Sequence, residues 1–253
     1  MTNKLMYFIG NWKMFGHFGS IKIINRIQRF LIKYRKIYKK NKIILCIPSI
    51  LIRDFTKKTK AKYISIGAQN CHQNEKYGPF TGSINASMIR KSGAKYVILG
   101  HSENRLEGET NKIIKAKIQS ALKEKLNVIF CIGESYKEKK QNKTFSVLKK
   151  QMKGSLLKKY NLNKVIIAYE PVWSIGSGKV PNNKQLKKIF LFIKHQYKKI
   201  FRMKNSPIVL YGGSVNSKNI RIFSTISEID GFLIGGASTS SKKFIDIIKN
   251  YYK

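Results

Sequence analysis

Val165-Ile166-Ile167-Ala168-Tyr169-Glu170-Pro171-Val172-Trp173 is the stretch on which the reading of this chain turns. Its first five residues are apolar on both faces, the pattern of a strand in a parallel sheet covered by helices on each side. Runs of the same kind recur along the chain at intervals of roughly 20 to 40 residues. They are Tyr7–Gly10, Ile43–Ile47, Tyr63–Ala68, Tyr96–Gly100, Val128–Ile132, Ile208–Tyr211 and Gly231–Ile234. Between them lie amphipathic helical patterns. Ser20–Lys40 places Ile23, Ile24, Ile27, Leu31 and Tyr34 on one face. Thr110 is placed to cap a helix carrying Ile113, Ile114, Lys117, Ile118, Ala121 and Leu122. Leu186–Phe201 and Lys242–Tyr252 repeat the pattern, whereas Ser49–Lys60 and Asn216–Ser224 predict shorter crossovers. About eight β-α alternations with no dividing linker predict a single-domain (β/α)8 barrel over residues 1–253, with a doubly wound open sheet as the alternative.

A barrel requires reactive groups just past the C-terminal ends of its strands. Asn11 and Lys13 follow the first strand, Gln69 and Asn70 the third, His101 the fourth, Glu134 the fifth and Glu170 the sixth. Ser214 and Gly235-Gly236 follow the last two. Any one of these could be a helix cap or a structural group; their convergence on one rim is what points to a site.

Glu170 ends an apolar strand, where a partly desolvated carboxylate makes a usable base, although a structural ion pair is an equally good reading of the residue alone. The segment after it has a stiff start at Pro171, apolar bulk at Val172-Trp173 and glycine pivots in Gly176-Ser177-Gly178-Lys179, the makings of a lid that excludes water. His101 stands between a strand and a helix start. A helix N-terminus disfavours imidazolium, so a neutral ring could donate to a developing oxyanion. Lys13 is positioned to offer an inward cation. Gly212-Gly213-Ser214 and Gly235-Gly236-Ala237-Ser238 allow backbone N–H groups to approach a phosphate closely.

Composition bounds the rest. Hydrophobic residues make up 42% of 253, enough for a sizeable core, and no apolar run approaches a membrane span. Met1-Thr2-Asn3-Lys4 leads into an apolar stretch too short for a secretory signal. Cys46, Cys71 and Cys131 lack metal-type spacing and fit buried thiols in a reducing cytoplasm. The chain carries 51 basic and 12 acidic residues, a net +39. The lysines are scattered as pairs along the whole length, with abundant Asn and Ile, which fits A/T-rich coding better than a nucleic-acid-binding arm. No recognition motif accompanies the charge.

Asn11-Trp12-Lys13-Met14, Gly100-His101-Ser102-Glu103, Cys131-Ile132-Gly133-Glu134, Ala168-Tyr169-Glu170-Pro171-Val172-Trp173 and Tyr211-Gly212-Gly213-Ser214-Val215 together resemble the signatures of the triosephosphate isomerase family, in family order from end to end. The resemblance implies a cytoplasmic enzyme of glycolysis and gluconeogenesis that interconverts dihydroxyacetone phosphate and glyceraldehyde 3-phosphate without metal or organic cofactor. It implies that Glu170 is the base, that neutral His101 polarises the carbonyl, that Lys13 supplies positive charge, that Asn11 helps hold the site and that Glu103 supports Lys13. Gly176, Ser214, Gly235 and Gly236 would hold the phosphate. It also implies a homodimer, in which Tyr77-Gly78-Pro79-Phe80-Thr81-Gly82 reaches into the partner with Thr81 at its tip. Asn104 and Ser83 depart from the charged residues common there, and the lid carries Ser174 and Ser177 in place of alanine and threonine. Another phosphate-binding barrel enzyme would account for Ser214 and Gly235-Gly236 but not for His101, Glu170 and the lid. A basic nucleic-acid-binding protein would account only for the charge.

Overall fold

The structure is a computed structural model that describes residues 4–253; Met1, Thr2 and Asn3, from which the signal-peptide reading started, lie outside the described residues. Eight parallel strands close in sequence order into a barrel: β1 (Met6–Asn11), β2 (Asn41–Cys46), β3 (Ile64–Ala68), β4 (Tyr96–Leu99), β5 (Asn127–Ile132), β6 (Val165–Tyr169), β7 (Val209–Tyr211) and β8 (Gly231–Ile234). Closure is made where β1 pairs with β8, Phe8 opposite Phe232 and Ile9 opposite Leu233. That pairing excludes the open doubly wound sheet.

Strands apolar on both faces are what this architecture needs, because successive side chains point to opposite sides. Ile9, Ile44, Cys46, Ile98, Ile129, Cys131, Ile166, Ala168, Leu210 and Leu233 fill the inside of the barrel as one buried cluster. Their neighbours Phe8, Ile43, Leu45, Val97, Val128, Phe130, Ile167 and Phe232 belong to a second cluster, shared with the surrounding helices. Those helices are α1 (Ile21–Lys33), α2 (Ser49–Lys58), α3 (Ala86–Lys91), α4 (Ser102–Leu106), α5 (Asn111–Lys123), α6 (Tyr136–Lys140), α7 (Thr144–Ser155), α8 (Asn183–Phe201) and α9 (Ser241–Tyr251).

Helix α1 stops at Lys33, short of the Lys40 that periodicity predicts. The Phe30 ring lies 5.2 Å from that of Tyr34 and 5.1 Å from that of Tyr38, and Tyr38 meets Tyr252 at 5.7 Å. Aromatic packing bends the chain into turns, which outweighs the helical preference of a lysine-rich tail. Asn216–Ser224, read as a short crossover, becomes a 3-10 turn over Ile220–Thr225. Thr110 caps α5 as expected, accepting from the Ile113 N–H. Lys117 on that helix is buried because its ammonium pairs with Glu109 and donates to Asn70 Oδ1 at 3.0 Å.

Candidate active site

The C-terminal rim of the barrel opens into a cavity of about 210 Å³ lined by Asn11, Lys13, His101, Glu170, Gly176, Ser214, Gly235 and Gly236, among others. These are residues that the sequence placed after strands β1, β4, β6, β7 and β8 and in the lid. Glu103 does not line the cavity and meets it only through the ammonium of Lys13.

Glu170 leaves β6 with its N–H on the Ile132 carbonyl at 2.8 Å, which holds the end of the strand against β5. Gly133 permits this: a Cβ there would fall 1.8 Å from the Glu170 carbonyl oxygen. The carboxylate is almost wholly buried, with Oε1 3.4 Å from His101 Nε2 and Oε2 without any hydrogen-bond partner. A buried carboxylate without a cationic partner is costly, and this one is kept where the residue lines the cavity. Cys131 packs beneath it, and its own burial together with the Glu170 charge holds the thiol well above the ordinary range. Cys131 is therefore an inert neighbour, as its sequence context suggested.

His101 caps α4. Its Nδ1 accepts the Glu103 N–H at 3.2 Å, so that nitrogen carries no proton, and the ring in its neutral form bears its hydrogen on Nε2, facing Glu170. Lys13 sits in the left-handed region at φ 53°, uncommon for a residue with a side chain. It is held there from both sides of its backbone: its N–H donates to Asn11 Oδ1 at 3.0 Å, and Gln69 Nε2 donates to its carbonyl at 2.8 Å. Its ammonium meets Glu103 Oε1 at 2.5 Å. Gln69 is the residue whose part the sequence did not disclose. Its place after β3 was visible, but an amide with no charge gave no hint that it anchors another loop.

Gly235 and Gly236 open a short 3-10 turn, Gly236–Thr239, with clear space where a Cβ of Gly236 would stand. Ser214 presents its N–H beside them, at present 3.4 Å from Ser174 Oγ. The segment Pro171–Lys179 begins with a 3-10 turn over Val172–Ser174, and Gly176 and Gly178 adopt φ of 68° and 73°. Gly176 through Lys179 are exposed.

Glu134 departs from the rim pattern. It turns away from the cavity and accepts from the Tyr169 hydroxyl at 3.1 Å and from Trp173 Nε1 at 2.9 Å, at the root of the lid. Burial pushes its carboxyl above the ordinary range, against the pull of those two hydrogen bonds. Lys139 Nζ covers the other face of Trp173, 3.2 Å from the ring centre. Among the described residues no three His, Cys, Asp or Glu side chains gather so as to hold a metal ion, and no helix is long and apolar enough to cross a membrane.

A profile of the triosephosphate isomerase family matches residues 6–251. Triosephosphate isomerase of Bartonella henselae is 35% identical over 98% of this chain and 97% of the relative. That of Thermodesulfovibrio yellowstonii is 37% identical over 96% of this chain and 98% of the relative. The crystal structure of the Bartonella henselae triosephosphate isomerase superposes with a TM-score of 0.87 at 33% identity, covering 98% of this chain and 100% of that one.

Proposed function

The chain belongs to the triosephosphate isomerase family and interconverts dihydroxyacetone phosphate and D-glyceraldehyde 3-phosphate, and we propose that Glu170 and His101 carry the proton transfers of that reaction. The observation that carries this is the buried, unpartnered Oε2 of a cavity-lining carboxylate whose other oxygen lies 3.4 Å from His101 Nε2. Glu170 takes the proton from one substrate carbon and returns it to the next, through an enediolate. Neutral His101, its Nδ1 engaged with the Glu103 N–H, donates from Nε2 to the carbonyl oxygen and so stabilises charge where it develops. Lys13 adds a fixed positive charge, Asn11 keeps its loop in place, and Glu103 orients its ammonium.

The phosphate lies on the N–H groups of Gly176, Ser214, Gly235 and Gly236, with Gly176 delivered when the lid closes and water is expelled. The active form is a homodimer. Supporting this, Met14, Phe15, Tyr77, Phe80 and Leu106 expose apolar surface on the loops after β1 and β3 and at the end of α4, with Met14 95% and Leu106 82% exposed. Thr81 is the tip that enters the partner beside its Asn11 and Lys13, and uncharged Asn104 and Ser83 leave that interface without an ion pair. The three unpaired cysteines fit a cytoplasmic location.

A coupled assay of glyceraldehyde 3-phosphate conversion, wild type against Glu170→Gln, tests the assignment. Turnover that falls by at least roughly a hundredfold in a folded variant is expected. Comparable kcat in both would remove Glu170 from the role of base.

A further inference from the structure

Both ends of the lid meet at one hydroxyl. Ser174 is fully buried, and its Oγ lies 2.5 Å from the Lys179 carbonyl oxygen, 3.0 Å from the Tyr211 hydroxyl and 3.4 Å from the Ser214 backbone nitrogen. A serine hydroxyl has one hydrogen and two acceptor lone pairs. The Lys179 carbonyl can only accept, so it receives the hydrogen. The Ser214 N–H can only donate, so it takes one lone pair, and the Tyr211 O–H must donate to the other. Every valence of Ser174 is then filled. Gly213 packs directly against the pair: a methyl there would fall 2.2 Å from the Tyr211 hydroxyl and 2.7 Å from Ser174 Oγ.

We infer that Ser174 is a positioning residue for the isomerase reaction: a clasp that ties the open lid to β7 and holds the Ser214 N–H until phosphate takes it. The inference rests on the phosphate and lid assignments proposed above. One N–H faces two acceptors in turn, the Ser174 hydroxyl in the open state and a substrate phosphate oxygen in the bound state. The charged oxygen is the stronger acceptor. Its capture of the Ser214 N–H takes one of three bonds from the clasp, so arrival of the phosphate and release of the lid are coupled through a single oxygen.

Steady-state kinetics on the full chain, with inorganic phosphate as competitive inhibitor, test this in wild type, Ser174→Ala and Ser174→Cys. Alanine frees the Ser214 N–H and unties the lid, so the inhibition constant for phosphate falls roughly fivefold, the worth of about one net hydrogen bond. KM falls with it, and kcat does not rise, because a lid no longer held open releases product no faster. Cysteine, a weak donor and acceptor, shifts phosphate affinity in the same direction by less, and it carries the test if the alanine variant fails to fold. A folded Ser174→Ala protein whose phosphate affinity is unchanged or weaker would overturn the clasp while leaving the isomerase assignment intact. Wild-type turnover that phosphate does not inhibit would instead sink the phosphate site on which the inference stands.

Discussion

Replacing Gln69 by leucine should separate the stability of this protein from its activity. The Gln69 amide donates to the Lys13 carbonyl at 2.8 Å and reaches Asn11 Oδ1 and the Cys46 carbonyl, each at 3.3 Å. Two of the three acceptors keep another partner: Asn11 Oδ1 accepts the Lys13 N–H at 3.0 Å, and the Cys46 carbonyl the Trp12 N–H at 3.0 Å. Only the Lys13 carbonyl is orphaned, a loss of about 1 kcal/mol where water can partly replace the bond. Against this, Lys13 is freed to leave its left-handed conformation, which relieves about 1–2 kcal/mol. The two nearly offset, so folding stability changes by about 1 kcal/mol or less, about 2–4 °C in Tm for a chain of this size. Activity has no such compensation. Once the backbone of Lys13 relaxes, its ammonium moves away from the cavity, and displacement of a site group by about 1 Å costs up to roughly a hundredfold. The expected result is a tenfold to hundredfold lower kcat/KM at near-wild-type Tm, read by the coupled isomerase assay and a thermal scan on the same preparation. A variant that melts many degrees lower but turns over normally would refute the reasoning.

Three further outcomes follow from other parts of the structure. Gly133→Ala places a methyl 1.8 Å from the Glu170 carbonyl oxygen, so β6 must shift and turnover should fall at least as far as in the Gln69 variant; normal kcat would show that the strand end tolerates movement. Glu134 is held above its usual 4.5 in the folded state, so folding binds its proton more tightly than the unfolded chain does. Its contribution therefore diminishes as pH rises from the unfolded value through the folded one. Glu134→Gln should be least favourable relative to wild type below pH 4.5 and gain on it as pH rises, and a difference in Tm that is flat or opposite in trend would reverse the sign. With a net charge of +39, self-repulsion should make Tm rise between low and moderate ionic strength; an unchanged Tm would mean that the lysines are spaced widely enough not to interact.

The barrel was legible because its strands needed apolar residues on both faces, a pattern unlike that of any amphipathic helix in the chain. Val165–Tyr169 and Gly231–Ile234 coincide with strands to the residue. The site was legible for a related reason: a charged or amide side chain directly after such a strand has only the rim to occupy, which places Asn11, Lys13, His101 and Glu170 together. Direction was harder. Glu134 also follows a strand, but it turns toward Trp173 and Tyr169, and nothing in Cys131-Ile132-Gly133-Glu134 encodes that choice. Gln69 and Ser174 act through partners 56 and 40 residues away in sequence, contacts that no local pattern carries. The early end of α1 likewise depends on Tyr252 at the far terminus.

The few carboxylates of this protein are nearly all employed. Nine of the twelve acidic residues hold a side-chain hydrogen bond or ion pair: Asp54, Glu75, Glu103, Glu109, Glu134, Glu138, Glu228, Asp230 and Asp246; Glu170 is the one that faces the cavity beside His101. Asp230 alone joins Lys4 and Lys194 and accepts the Val209 N–H at the foot of β7. Cations, by contrast, are interchangeable: with 51 of them, the loss of one exposed lysine changes little. Loss of an acid strands positive groups in a field that offers no replacement. The molecule's tolerance of mutation is thus lopsided, broad where it is basic and narrow wherever it is negative.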